Sequence, residues 1–293
     1  MKVGYIGLGI MGRPCALNLI KAGFAVGVWA RNEASLVPLR EAGASVYDSP
    51  AALAAGVDVL ITNLSDTPDV KEVLLGDQGA VHGAHPGLVC VDMSTISPIG
   101  ARDIAAELAG HAVAFLDCPV SGGEVGAING TLTIMVGGNA EALERVRPAL
   151  DAMGSTITRI GDSGAGQVAK ACNQIAVGVG VAMVAEIMQL ARAAGVDPVP
   201  VREALLGGFA ASRVLEVHGQ RMIDDNYAPG FKAALHLKDM GIVMDTARQL
   251  GIHLPQSERV AELIAALVAR GEGGLDSSAI ARLIWAENGA ADD

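Results

Sequence analysis

Three residues on one helical face carry the most specific chemistry in this sequence. Lys170 stands in an otherwise apolar run, with Asn173 three residues on and Gln174 four, so their side chains leave the same side of a helix. A lysine among apolar neighbours is desolvated, which favours its neutral form and lowers its pKa. Lys170 is therefore a candidate general acid or base. Asn173 is a candidate to hydrogen-bond a substrate or to position Lys170. Further upstream, Ser121-Gly122-Gly123 follows Asp117-Cys118-Pro119. Two glycines after a serine leave backbone N–H groups free to grip an anion such as a carboxylate.

A third constellation lies at the start of the chain. Gly7-Leu8-Gly9-Ile10-Met11-Gly12 follows an apolar strand-like run and opens a helical one. Gly7 permits a tight turn, Gly9 lets backbone approach a pyrophosphate, and Gly12 lets helix and strand pack closely. The helix N-terminus offers N–H groups to the phosphates. This is the fingerprint of a dinucleotide-binding βαβ unit. Its usual acidic partner, which holds a ribose diol at the end of the second strand, is missing: Val28-Trp29-Ala30 runs into Arg31-Asn32. A guanidinium at Arg31 suits a 2′-phosphate, so NADP(H) is the expected preference, with NAD(H) possible. Asn63-Leu64-Ser65-Asp66 and Ser94-Thr95 lie where strands end and are expected to complete the pocket. Ser94 and Thr95 are also placed to cap the helix that starts near Pro98.

These residues need a scaffold that composition and periodicity outline. The 293 residues are 51% apolar and 3% aromatic, too long for one core and rich in the small aliphatic residues of buried parallel strands. Strand-like and helix-like segments alternate up to about Gly161, which implies a parallel sheet covered on both faces. From Gly164 onward only helical patterns occur, beginning with a long apolar helix from Gln167 to about Ala194. The expected architecture is α/β: a Rossmann-type doubly wound sheet over residues 1–162, then an all-α substrate and oligomerisation domain over 163–293, joined by the long helix.

A formal charge of −11 argues against nucleic acid as a partner. Cys15, Cys90, Cys118 and Cys172 show no metal-site spacing and read as reduced thiols, so no metal is expected. The chain enters a strand at Lys2, without a leader pattern, which points to the cytoplasm. The apolar 171–191 stretch is interrupted by Asn173, Gln174, Glu186 and Gln189, so a buried helix is expected rather than a membrane span. Its apolar surface exceeds what one small helical domain covers, which implies a homodimer or homotetramer.

Four motifs in order resemble the β-hydroxyacid dehydrogenase family over nearly the whole length. GYIGLGIMGRPCALNLIKAG at 4–23 resembles its cofactor signature and DCPVSGG at 117–123 its substrate segment. GAGQVAKACNQ at 164–174 resembles its catalytic helix and HLKDM at 236–240 its late Lys-Asp motif. The resemblance implies an enzyme that interconverts a small carboxylate semialdehyde and its 3-hydroxy acid with a nicotinamide cofactor. It assigns Lys170 as general acid in reduction and general base in oxidation, and Ser121, Gly122 and Gly123 to the substrate's carboxylate. Lys238 falls to the nicotinamide and substrate region, with a plain surface ion pair to Asp239 as the alternative. Phe231, after Pro229-Gly230, is expected to line the pocket. Retention of Lys170 argues for a carbonyl or alcohol substrate, since imine-reducing members replace it. The 122–132 and 207–240 strings are most like the branch that reduces 2-hydroxy-3-oxopropionate to glycerate. Oxidation of 3-hydroxyisobutyrate and reduction of succinic semialdehyde are the alternatives, and a non-enzymatic dinucleotide sensor is the alternative of another class.

Overall fold

A computed structural model describes residues 1–287. The chain divides into two compact units, Met1–Lys170 and the residues from Ala171 onward.

In the first unit nine strands form one sheet: β1 (Lys2–Ile6), β2 (Ala25–Trp29), β3 (Ser45–Val46), β4 (Val59–Thr62), β5 (Val89–Asp92), β6 (Ala114–Asp117), β7 (Val120–Ser121), β8 (Leu132–Gly138) and β9 (Gly154–Gly161). The order is β3-β2-β1-β4-β5-β6-β8-β7, with β9 also on β8. The first six strands pair in parallel, Val3 facing Val26 on one side and Val59 on the other. Strand order reverses between β1 and β4, so their carboxyl ends open the crevice where doubly wound sheets bind ligands. Alternate residues fill opposite faces. Tyr5, Ile61, Val91 and Leu116 join one core, while Ile6, Leu60, Cys90 and Phe115 join the other. Both cores are fully covered, each large side chain contributing about 1.5–3 kcal/mol of transfer free energy.

The expectation of a wholly parallel sheet is corrected at its far edge. Strand β8 runs antiparallel to β6 and β7. β6 and β7 lie in succession along the same β8, Asp117 on Gly137 and Val120 on Ile134, so the chain keeps its direction through Cys118-Pro119 and reverses around the helix Gly123–Asn129, a connection of ten residues that brings β8 back beside them. Two-residue strands β3 and β7, and the helices Pro50–Ala55 and Gly123–Asn129, are too short to show a period in the sequence. The helix Pro98–Ala109 is capped by Ser97, which accepts from Gly100 N–H at 3.4 Å, and not by Ser94 or Thr95. Asn139 caps the helix Ala140–Asp151, as its sequence context predicts.

The long helix spans Ala165–Ala193, and the division between the units falls within it. The second unit is helical among its described residues. Its core gathers Val181, Val184, Met188, Leu215, Met222, Met240, Ile264 and Ile280. Ala165–Ala193 is the one described helix long and apolar enough to cross a membrane by length and composition.

Candidate active site

Strand β1 delivers the glycine loop directly from the core. Gly7 takes φ +97°, a conformation that glycine adopts without steric cost. A Cβ there would meet the Asn63 carbonyl oxygen at 2.1 Å, so the loop lies against the turn after β4. A Cβ on Gly12 would meet the Gly7 carbonyl oxygen at 1.9 Å, which fixes the helix Gly12–Lys21 close upon the strand. Gly9 faces open space within 4 Å, and no side chain caps this helix. An uncovered, uncapped helix start beside a flat glycine is what a pyrophosphate requires, so these residues fit a dinucleotide. Ile10 is exposed over the same loop and Leu8 is buried beneath it.

The loops around this crevice are ordered by their own hydrogen bonds. Asn63 Nδ2 donates to Tyr5 Oη at 3.4 Å, and Leu64 N–H donates to Ser94 Oγ at 2.7 Å. Ser94 Oγ donates in turn to Asp92 Oδ1 at 2.5 Å, which also accepts from Thr62 Oγ1 at 2.7 Å. Burial pushes the Asp92 carboxyl up to about 6, against the pull of its bonds to Ser94 and Thr62. Thr95 is half-buried beside it. At the tip of β2, Arg31 is 73% exposed and pairs with Asp69 at 3.3 Å. Asn32 uses its side chain on Ala34 N–H at 3.0 Å, as the cap of a short 3₁₀ turn.

The anion nest and the lysine meet inside the first unit. Gly122 and Gly123 take φ of +133° and +62°, both exposed, and start the helix Gly123–Asn129. Lys170 is 8% exposed, and its Nζ donates to Val120 O at 2.9 Å, one residue before Ser121. Asp117, at the end of β6, accepts from Gly164 N–H at 2.7 Å and Gln167 N–H at 2.9 Å. Burial raises its pKa, and these backbone bonds oppose the rise.

The remaining expected residues belong to the second unit. Asn173 Nδ2 donates to Gln174 Oε1 at 2.8 Å, and Gln174 Nε2 donates to Asp239 Oδ2 at 2.7 Å. Asp239 Oδ1 pairs with Lys238 Nζ at 2.8 Å. Asn173 and Lys238, 65 positions apart in sequence, thus end one continuous polar chain. Phe231 packs on His236 with ring centroids 5.3 Å apart, and its N–H donates to the buried Asp276 at 2.9 Å. The sequence reading missed Asp92, Gln167 and Asp276. Asp92 carried a readable signal, an acid closing an apolar strand at the carboxyl edge of the sheet. No group of acidic, His and Cys side chains among the described residues could hold a metal, and all four cysteines are free.

Comparison with known proteins finds relatives along both units. Residues 2–161 match the family model of the NAD binding domain of 6-phosphogluconate dehydrogenase. Residues 164–284 match that of the NAD-binding domain of NADP-dependent 3-hydroxyisobutyrate dehydrogenase. The chain is 43% identical to the 2-hydroxy-3-oxopropionate reductase of Escherichia coli, covering 97% of each. It is 36% identical to the NAD-dependent L-serine dehydrogenase of Pseudomonas aeruginosa, covering 96% of this chain and 97% of that one. Among solved structures, 3-hydroxyisobutyrate dehydrogenase of Mycobacterium tuberculosis with L-serine superposes with a TM-score of 0.91 at 31% identity, over 97% of this chain and 98% of that one.

Proposed function

This chain belongs to the β-hydroxyacid dehydrogenase family, NAD(P)-dependent oxidoreductases that act on CH–OH groups, and from that membership we propose that it reduces 2-hydroxy-3-oxopropionate to glycerate with NADPH. Membership also removes the non-enzymatic sensor as the working alternative. The nicotinamide, when bound, supplies the hydride. Lys170 supplies the proton to the aldehyde oxygen as negative charge builds on it, and takes that proton back in the oxidation of the alcohol. The backbone N–H groups of the Ser121-Gly122-Gly123 segment hold the substrate carboxylate. Asn173 hydrogen-bonds the substrate, with its amide oriented by Gln174, and Phe231 lines the pocket. The glycine loop from Gly7 to Gly12, with Asn32, Asn63, Leu64, Thr95 and Lys238, holds the cofactor, and Arg31 meets a 2′-phosphate.

The observation that carries this reading is Lys170: a buried amine held 2.9 Å from the carbonyl that leads into the Ser121 segment. A lysine so placed stands beside the segment proposed to hold the substrate carboxylate. The choice of 2-hydroxy-3-oxopropionate is supported by the Escherichia coli relative's 43% identity. The serine-bound Mycobacterium structure and the Pseudomonas relative favour a second reading, oxidation of a 3-hydroxy acid by the same groups run in reverse. A panel of short semialdehydes and 3-hydroxy acids, assayed with both nicotinamides, separates the two. Highest kcat/KM for 2-hydroxy-3-oxopropionate with NADPH supports the first reading; highest kcat/KM for serine or 3-hydroxyisobutyrate with NAD overturns it.

A further inference from the structure

A polar network that none of these roles uses joins the cofactor side of the sheet to the base of the long helix. Its centre is Gln167, three residues before Lys170 and 1% exposed. Its Nε2 donates to Ser94 O at 2.8 Å, and its Oε1 accepts from Ile96 N–H at 3.1 Å. Both ends of the carboxamide are thus engaged by the backbone on either side of Thr95. The Gln167 main chain is held as well, its N–H donating to Asp117 Oδ2 at 2.9 Å. Ser94 carries the network onward, since its Oγ accepts from Leu64 N–H.

A buried carboxamide costs free energy unless both ends find partners. An apolar side chain of the same length would fill this space without that requirement. The glutamine adds directional bonds that an apolar residue lacks, one donor and one acceptor set against a single turn. These bonds fix both the rotation and the height of the helix turn that bears Lys170, relative to the loop that bears Thr95.

We propose that Gln167 is a positioning residue for the reaction: it locks the Ser94–Ile96 turn and the first turns of the long helix into one piece, so that the proton donor is set by the same bonds that order the cofactor loop. The inference rests on the role proposed for Lys170. Gln167 touches no reacting atom and acts through Lys170 and Thr95.

Two variants test it beside Lys170→Ala. Gln167→Met keeps length and removes both bonds; Gln167→Glu keeps the acceptor and loses the donor until its carboxyl protonates. Each is assayed for NADPH oxidation with 2-hydroxy-3-oxopropionate across pH, with NADPH binding followed by fluorescence. Misplacement by about 1 Å can cost about a hundredfold in rate, so kcat of Gln167→Met is expected to fall about a hundredfold, with NADPH still bound and the pH profile displaced. Gln167→Glu is expected to recover, relative to the parent protein at each pH, as the medium becomes acidic. A purely structural glutamine would lower the melting temperature and leave kcat and the pH profile unchanged. If Lys170→Ala is inactive while both Gln167 variants keep the parent kcat and pH profile, the inference fails and the reading of Lys170 stands. An active Lys170→Ala overturns the reading of Lys170 and the inference with it.

Discussion

The Nζ of Lys170 donates to the carbonyl oxygen of Val120 at 2.9 Å across 50 residues of sequence. This one bond turns a lysine on an apolar helix into a fixed group of the first unit. The buried amine thus has a hydrogen-bond partner, as a buried polar group requires. The same bond holds the amine one residue from Ser121, where the substrate carboxylate is proposed to bind. This contact therefore links the proposed proton donor to the proposed anion site.

Arg31 is the residue proposed to set the cofactor preference. It is mostly exposed and tied to Asp69 by a surface pair at 3.3 Å, an interaction worth about 0–1 kcal/mol. A 2′-phosphate offers it stronger, charge-assisted bonds. Arg31→Ala is expected to lower kcat/KM for NADPH about tenfold, the equivalent of about 1.4 kcal/mol, and to leave NADH unchanged. Steady-state kinetics with both cofactors on one substrate checks this. A parent protein that clearly prefers NADH contradicts it.

Asp92 makes stability depend on pH. Its carboxyl is buried, its Oδ2 has no hydrogen-bond partner among the described residues, and burial moves it from 3.8 up to about 6. Between those values the folded chain keeps a proton that the unfolded chain has lost, so this group makes stability fall as pH rises through the window. Above about 6 the ionised form costs on the order of 3 kcal/mol, at ~1.4 kcal/mol per unit. Asp92→Asn cannot ionise. Its melting temperature, measured beside the parent's from about pH 4 to 7, is expected to gain on the parent as pH rises. A difference that stays constant over this range contradicts the assignment.

The long helix also has an outer face. Met183 is 42% exposed and Leu190 73%, beside Val179 and Ala182. Exposed apolar surface of this kind marks association, and a homodimer or homotetramer is the proposed assembly. Light scattering after size exclusion should give a multiple of the 29.8 kDa chain, and Leu190→Glu should shift it toward the monomer. A monomeric parent protein refutes the assembly.

Much of this was legible in the sequence because it depends on local pattern. Gly7, Gly9 and Gly12 announce their turn by spacing, and the strands β1, β4 and β5 by apolar runs of four or five residues. Asn139 was readable as a cap because the residue type and the helix start coincide. What stayed hidden depends on long-range pairing. The antiparallel β8 comes from the return of the chain around the short helix Gly123–Asn129, which no periodicity reports. Ser94 sits one helical turn before Pro98 like a cap, yet its hydroxyl is taken by Asp92. Lys238 shows charge in the sequence but not its link, through Asp239 and Gln174, to Asn173. Gln167 looked like the start of an apolar helix; only the fold shows its carboxamide bonded to Ser94 and Ile96.

One measurement bears most directly on the proposed role of Lys170 as proton donor. NADPH oxidation by 2-hydroxy-3-oxopropionate is compared for the parent protein and Lys170→Ala, with NADPH affinity determined for both. General acid catalysis contributes about 10²–10⁴-fold, so kcat is expected to fall by that factor while NADPH affinity stays within about twofold. A Lys170→Ala protein that binds NADPH and turns over at the parent rate contradicts that role.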